Sequence, residues 1–246
     1  MIEKAKIEAG QAPKICVSIA AAQKDEIIKE AALALEVEAD MIEWRADAYE
    51  EAAIADDLES VLKELRKEAD EMPILFTYRT KAEGGSGSTD PGLYAGIAME
   101  AIGSGCIDLI DVEVCSESSA SKEIIDYAHE RDVEVIASYH NFVETPPADE
   151  IAERFDELKK SGADILKVAV MAECEGDLSR LCEAAAETQA KYPGLPLVAI
   201  AMGEAGVQSR IDAEKFCSSI IFAAGLAETA PGQLNIHDLR KMRSAR

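Results

Sequence analysis

The chain has 246 residues, 48% of them hydrophobic, and its 48 acidic against 25 basic residues give a formal net charge of −23. A field of that sign repels nucleic acids and anionic lipid surfaces, so neither is expected as a partner. No run of about twenty apolar residues occurs, and the first residues lack an apolar signal segment, which predicts no membrane association and no leader. The length fits a single catalytic domain over residues 1–246.

Eight short runs rich in β-branched and aromatic residues alternate with longer segments of helical apolar spacing, as in repeated βα units. Eight such units in this length predict a closed (β/α)8 TIM barrel. An open doubly wound sheet is the alternative, but no Gly-x-Gly-x-x-Gly opens a helix. Two of the predicted helices run from Lys24 to Glu36 and from Asp177 to Lys191. The predicted strands are Lys14–Ile19, Met41–Ala46, Ile74–Arg79, Leu109–Val114, Val133–His140, Ile165–Val170, Leu197–Ala201 and Ile220–Ala224.

The cysteines contain no Cys-x-x-Cys pair, and most lie in or beside apolar segments, as buried reduced thiols usually do. They are therefore predicted to be reduced core residues of a cytoplasmic protein. The six positions are Cys16, Cys106, Cys115, Cys174, Cys182 and Cys217.

Lys167 lies in an apolar run of strand length, where burial disfavours the charged form of an amine. A lysine in such a place can attack a carbonyl as a free base, which indicates a Schiff-base nucleophile. The alternative is a structural lysine in the barrel core, paired with a carboxylate such as Asp108, Asp111 or Glu113. The two interpretations are equally good for this lysine alone, so other residues must decide.

Polar residues gather near the carboxyl ends of the predicted strands, where barrel enzymes carry their chemistry. Glu43 and Arg45 are two residues apart in a strand and therefore point to the same face. Each candidate alone has an ordinary explanation, such as an ion-pair layer or a structural histidine, but their coincidence at six strand ends favours an active site. The candidates after Arg45 are Arg79, Glu83, His140, Lys167, Met202, Arg210, Thr229 and Gln233.

The motifs, taken in order over nearly the whole chain, resemble those of the type I 3-dehydroquinate dehydratases. Single motifs are weak signals, whereas the ordered set is specific. The set comprises Glu43-Trp44-Arg45 with Asp47, Arg79 with Glu83-Gly84-Gly85, Ser138-Tyr139-His140, Lys167-Val-Ala-Val-Met171, Met202-Gly203 with Gly206 and Ser209-Arg210, and Ala230-Pro231-Gly232-Gln233.

The resemblance implies a hydro-lyase of the shikimate pathway that converts 3-dehydroquinate to 3-dehydroshikimate and water through an enzyme imine. It implies no metal or cofactor, and it suggests a homodimer. By the same resemblance Lys167 attacks the ring ketone, His140 shuttles protons, and Glu83 sets the position and charge of His140. The implied substrate contacts are Arg210, Thr229 and Gln233 at the carboxylate and the neighbouring hydroxyl, Glu43, Arg45 and Arg79 at the other hydroxyls, and Met202 by packing.

Two other functions fit parts of the pattern. A different lysine-imine barrel enzyme, such as an aldolase, should favour a phosphate-binding backbone loop after the seventh and eighth strands, where this chain has Arg210 instead. A catalytically silent ligand-binding barrel should have lost Lys167 or His140, and both are present.

The arginines must make the mouth of the site locally positive, because the chain as a whole repels an anionic substrate. Arg45, Arg79 and Arg210 are predicted to do so. By like-charge repulsion they would also disfavour the charged form of Lys167.

Overall fold

The computed structural model describes residues 7–114, 119–225 and 228–245, with Ser119 described by its backbone alone. Eight strands and eight α-helices alternate along these residues. The strands are β1 (Lys14–Ile19), β2 (Met41–Arg45), β3 (Ile74–Thr77), β4 (Leu109–Glu113), β5 (Glu134–Asn141), β6 (Ile165–Met171), β7 (Leu197–Met202) and β8 (Ile220–Ala224). The helices are α1 (Lys24–Glu36), α2 (Ala55–Ala69), α3 (Pro91–Gly103), α4 (Ser119–His129), α5 (Ala148–Lys160), α6 (Glu175–Lys191), α7 (Val207–Ile211) and α8 (Ile236–Ser244).

All the strands are parallel neighbours in the order β7-β6-β5-β4-β3-β2-β1-β8. The two outer strands approach each other where Leu197 of β7 forms a parallel bridge with Ser218, just before β8. The backbone N–H of Ser219 donates to the carbonyl of Leu197 at 2.7 Å. The sheet is therefore a nearly closed barrel, which confirms the (β/α)8 prediction and excludes the open doubly wound sheet.

The predicted strands are all present, and their bounds differ by one or two residues at some ends. Strand β3 ends at Thr77 rather than Arg79, and Ala46 lies in a short 3-10 turn after β2. The helix predicted from Asp177 begins earlier, at Glu175. The cause is a cap: the Asp177 carboxylate accepts the backbone N–H groups of Glu173 at 2.6 Å and Cys174 at 3.1 Å.

The interior face of the barrel changes from apolar to polar along strands such as β2 and β4, whereas β7 and β8 stay apolar. In β4, Leu109 is followed on the same face by Asp111 and then Glu113, all of them buried. The apolar side chains inside the barrel pack as a cluster of their own, separate from the larger cluster between the sheet and the helices. Apolar side chains therefore fill the barrel near the amino ends of the strands, and the charged side chains lie nearer the carboxyl ends.

The cysteines of the described residues are free thiols. Cys16 and Cys106 are buried as predicted, but Cys174 is exposed, because it lies at the surface where α6 begins. The prediction of a core thiol is wrong for that residue, and Cys115 lies outside the described residues. Within those same residues no helix combines the length and the apolarity that crossing a bilayer requires.

Candidate active site

A cavity opens at the carboxyl ends of the barrel strands, and every candidate predicted from the sequence lines it. Besides these candidates its walls include Ser18, Gly84, Phe142, Ala169, Ile200, Phe222 and Ala230. The predicted candidates around it are Glu43, Arg45, Arg79, Glu83, His140, Lys167, Met202, Arg210, Thr229 and Gln233.

Lys167 is buried in the barrel interior and has a carboxylate partner. Its Nζ lies 2.9 Å from Oδ2 of Asp111 and 4.3 Å from the centre of the Phe222 ring. Of the other two carboxylates considered for it, Asp108 pairs with Arg66 before β4, and Glu113 lies beside Arg79. Lys167 thus has both the burial expected of a nucleophile and the counter-ion expected of a structural lysine. The attraction of Asp111 opposes the repulsion predicted from the arginines.

Asp111 is the acceptor at the centre of this network. Its carboxylate accepts hydrogen bonds from Arg79 Nη2 at 2.7 Å, from Ser138 Oγ at 2.6 Å and from Lys167 Nζ. Burial by itself would raise the pKa of Asp111, but the charges of Arg79 and Lys167 outweigh it and hold that pKa well below its usual range. Asp111 therefore stays ionised.

Arg79 binds protein oxygens with both terminal nitrogens. Besides Asp111, it donates to Glu113 at 3.0 Å, to Ser138 at 3.0 Å and to Glu83 at 3.4 Å. Burial would lower the pKa of Arg79, but the surrounding carboxylates raise it. The positive charge of Arg79 is therefore largely balanced inside the protein.

His140 and Glu83 form a buried pair. His140 Nδ1 lies 2.8 Å from Glu83 Oε2, and among the described residues Nε2 of the same ring has no hydrogen-bond partner. Burial, with the charges of Arg79 and Lys167, lowers the pKa of His140 well below its usual value, while burial raises the pKa of Glu83. The imidazole is thus neutral near pH 7 and has one ring nitrogen left for the cavity.

Arg210 is a buried cation without a carboxylate partner among the residues that the structure describes. Its Nε donates to the carbonyl of Gly232 and its Nη1 to that of Phe222, both at 3.1 Å. Burial lowers the pKa of Arg210 to about 10, although Glu228 and Glu43 act in the opposite direction. Arg210 remains charged at neutral pH, and an anion entering the cavity would supply the missing partner.

The remaining polar wall joins β1, β2 and β3 to the segment after β8. Glu43 accepts hydrogen bonds from Ser18 Oγ at 2.5 Å and from Thr77 Oγ1 at 3.0 Å. Gln233 Nε2 donates to Ser18 at 3.3 Å, and Gln233 Oε1 accepts from the backbone N–H of Thr229 at 2.7 Å. These contacts hold the segment around Thr229 against the barrel.

The sequence left two parts of this network without a role. From the sequence, Asp111 and Glu113 are candidates only as partners for Lys167, and Ser18 is not a candidate. Asp111 and Glu113 carry the signal that marked Glu43 and Arg45, namely polar residues two apart in a buried strand. Ser18 lies in β1 without such a signal. In the described part of the chain no group of three or more His, Cys, Asp or Glu side chains could hold a metal ion.

Comparison with known proteins identifies the family. The sequence model of the type I 3-dehydroquinases matches residues 15–246. The chain belongs to the type I 3-dehydroquinate dehydratase family. The 3-dehydroquinate dehydratase of Escherichia coli O17:K52:H18 is 38% identical over 229 residues, which cover 93% of this chain and 91% of the relative. The 3-dehydroquinate dehydratase of Clostridium botulinum strain Eklund 17B is 37% identical over 230 residues, which cover 94% of this chain and 91% of the relative.

Solved structures of the family share the fold. The 3-dehydroquinate dehydratase of Geobacillus kaustophilus superposes with a TM-score of 0.91 at 30% identity, covering 96% of this chain and 91% of that one. The type I 3-dehydroquinate dehydratase of Clostridium difficile superposes with a TM-score of 0.90 at 36% identity, covering 96% of this chain and 93% of that one. The chain is therefore a hydro-lyase of the shikimate pathway that acts on 3-dehydroquinate. The aldolase and the silent binding barrel are set aside.

The buried network around Asp111 makes a stability prediction. Asp111→Asn leaves Arg79 and Lys167 without their shared counter-ion, so we expect the free energy of unfolding at pH 7 to fall by about 3–5 kcal/mol in urea titrations. Asp126→Asn is the control, because Asp126 forms an exposed pair with Lys122. This substitution should lower the free energy of unfolding by about 0.5 kcal/mol or less.

The same pair of variants gives a pH dependence. The folded-state pKa of Asp111 lies below the value of about 3.9 for an unfolded aspartate. The contribution of Asp111 to the free energy of unfolding is therefore complete at pH values above the unfolded-state pKa. It is lost as the pH falls through the lower, folded-state pKa. The difference between wild type and Asp111→Asn should therefore shrink in acid. A loss below about 1 kcal/mol at pH 7, or a difference that grows in acid, would contradict this account of the network.

Proposed function

We propose that the enzyme eliminates water from 3-dehydroquinate through an imine on Lys167, with His140 as the general acid and base. The observation that carries the proposal is the placement of these two side chains on neighbouring strands. In the pairing of β5 with β6, Ser138 lies opposite Lys167 and His140 opposite Ala169, so His140 is one step nearer the mouth. Both side chains line the same cavity.

The covalent steps follow from what removal of the α-proton requires. Lys167 rests as an ammonium and gives up one proton as its Nζ forms a C–N bond to the ring ketone. That proton and one of the two left on the nitrogen depart with the former ketone oxygen as water, so the imine keeps one proton. The resulting protonated imine accepts the electron pair that remains when the proton is removed, which a ketone does less well. His140 Nε2 takes this proton, because Nδ1 is engaged by Glu83.

The second half returns the proton. The electrons of the enamine expel the β-hydroxyl, and the imidazolium of His140 protonates it so that it departs as water. A further water then hydrolyses the product imine and frees Lys167. The proposed sequence needs no metal or cofactor.

Asp111 serves as a constant counter-ion in this scheme. Because its pKa is held low, it does not take the proton of Lys167. Its carboxylate instead stabilises each positive charge that this nitrogen carries, first as an ammonium and then as an iminium. Glu83 holds the His140 ring so that Nε2 stays toward the cavity.

The three arginines suggest how the substrate is oriented. Arg79 is balanced by protein carboxylates and Arg45 has one carboxylate partner, whereas Arg210 has none among the described residues. We assign the substrate carboxylate to Arg210, with Thr229 and Gln233 beside it. Holding the reacting atoms in place can contribute roughly 7–11 kcal/mol to catalysis. Glu43, Arg45 and Arg79 are assigned to the other ring hydroxyls, and Met202 to packing against the ring.

Trapping tests the nucleophile. Sodium borohydride added with 3-dehydroquinate should reduce the imine and leave a stable adduct on Lys167, located by peptide mass spectrometry. Lys167→Met should give no adduct at any lysine under the same conditions. Turnover with Lys167 unmodified, or an adduct on another lysine, would refute the imine on this residue.

Kinetics test the histidine. His140→Ala should lower kcat by about 10²–10⁴-fold, measured from the ultraviolet absorbance of the conjugated enone product, while still allowing some adduct to form on Lys167. His129→Ala is the control, because His129 is exposed and pairs with Asp164 away from the cavity. Wild-type kcat in His140→Ala would remove His140 from the mechanism.

We further propose that residues 1–246 act as one catalytic domain, in the cytoplasm and as a homodimer. The free thiols of the described residues fit a reducing compartment, and the resemblance to the family suggests the dimer. Sedimentation velocity at micromolar concentration should give a species of twice the chain mass of 26.4 kDa. A single species of chain mass would contradict the dimer.

A further inference from the structure

We propose that Asp47 is a positioning residue for substrate binding, which acts by orienting Arg45. The inference rests on the proposed role of Arg45 at the ring hydroxyls. Asp47 lies in the 3-10 turn Ala46–Ala48 directly after β2 and is buried. It does not line the cavity, whereas Arg45 does. Any effect of Asp47 on the substrate must therefore pass through its neighbours.

The contacts of Asp47 hold the Arg45 guanidinium in one plane. Arg45 Nε donates to Oδ1 at 2.8 Å and Nη2 donates to Oδ2 at 2.9 Å, a two-point pairing with defined geometry. Arg45 Nη1 donates to the carbonyl of Thr229 at 3.2 Å. Three of the five N–H donors of the side chain are thus engaged within the protein, which leaves two for a ligand.

The same carboxylate is itself held from the other side. Oδ1 accepts the backbone N–H of Arg79 at 3.1 Å, and Oδ2 accepts that of Ser86 at 3.0 Å. Burial would raise the pKa of Asp47, but the hydrogen bond and charge of Arg45 lower it, so Asp47 is ionised at neutral pH. A rigid anion anchored at two points of the segment that follows β3 is a better reference point for Arg45 than a solvated side chain. We assign the bonds to Arg79 and Ser86 to folding, and the pairing with Arg45 to substrate binding.

Asp47→Asn tests the orientation with little change in shape. The amide keeps one acceptor oxygen but loses the charge and the second acceptor, so the two-point pairing with Arg45 is broken. We expect KM for 3-dehydroquinate to rise about tenfold and kcat to change less, because a contact to ring hydroxyls holds both the ground state and the transition state.

Asp177→Asn is the matched control. Asp177 also accepts two backbone N–H groups and pairs with an arginine, Arg180, but it does so at the start of α6 and away from the cavity. It should lower thermal stability and leave KM unchanged. An Asp47→Asn enzyme with the same pattern, a lower Tm and a wild-type KM, would overturn the proposal.

A double-mutant cycle decides whether Asp47 acts through Arg45. In an Arg45→Met background, Asp47→Asn should change kcat/KM by less than about twofold, because the group that it orients is absent. An undiminished tenfold effect in that background would overturn the proposal. The cycle measures turnover only and does not depend on the imine. Borohydride trapping of wild type, run in parallel, reports separately on Lys167, so failure of the imine mechanism is distinguishable from failure of the Asp47 assignment.

Discussion

The ion pair between Lys167 and Asp111 is the interaction on which the rest of the site depends. An amine in the interior of a barrel requires either a counter-ion or the loss of its charge, and Asp111 supplies the first at 2.9 Å. Asp111 remains ionised because the charges of Arg79 and Lys167, with the hydrogen bond from Ser138, outweigh its burial. Arg79 in turn is paired with Glu113 as well as with Asp111. The position of the nucleophile is thus determined by a chain of buried charges, each of which requires the next.

This arrangement explains how a chain of net charge −23 can accept an anionic substrate. Of the acidic side chains that the structure describes, Glu43 and Glu83 alone line the cavity, and they are accompanied there by cations in different states of compensation. A cation that is already paired gains little from a new anion, so the uncompensated Arg210 has the most to gain. Arg79 maintains the network, Arg45 is held by Asp47, and Arg210 remains available. The orientation of the substrate follows from this difference rather than from the number of arginines.

Much of the fold and of the cavity wall was predictable from the sequence. The period of two placed Glu43 and Arg45 on one face, and the alternation of strands and helices predicted the barrel that brings the strand ends together. The ion pairs inside the cavity were not predictable, because they depend on the register between strands that are far apart in the chain. The sequence left Asp108, Asp111 and Glu113 open as the carboxylate partner of Lys167. The structure shows that Asp108 lies at the opposite end of β4 from the site. Residue type alone also could not distinguish Arg79 from Arg210, to which only the resemblance to the family assigned different parts of the substrate, since the two arginines differ in their partners.

The most direct test of this account is a crystal structure of the enzyme after borohydride reduction in the presence of 3-dehydroquinate. We expect a covalent bond from Lys167 Nζ to the former ketone carbon, with that nitrogen still within hydrogen-bond distance of Asp111 and the substrate carboxylate on Arg210. A carboxylate bound at Arg79, or an adduct nitrogen turned away from Asp111, would contradict the claim that the buried charge network positions both the nucleophile and its substrate.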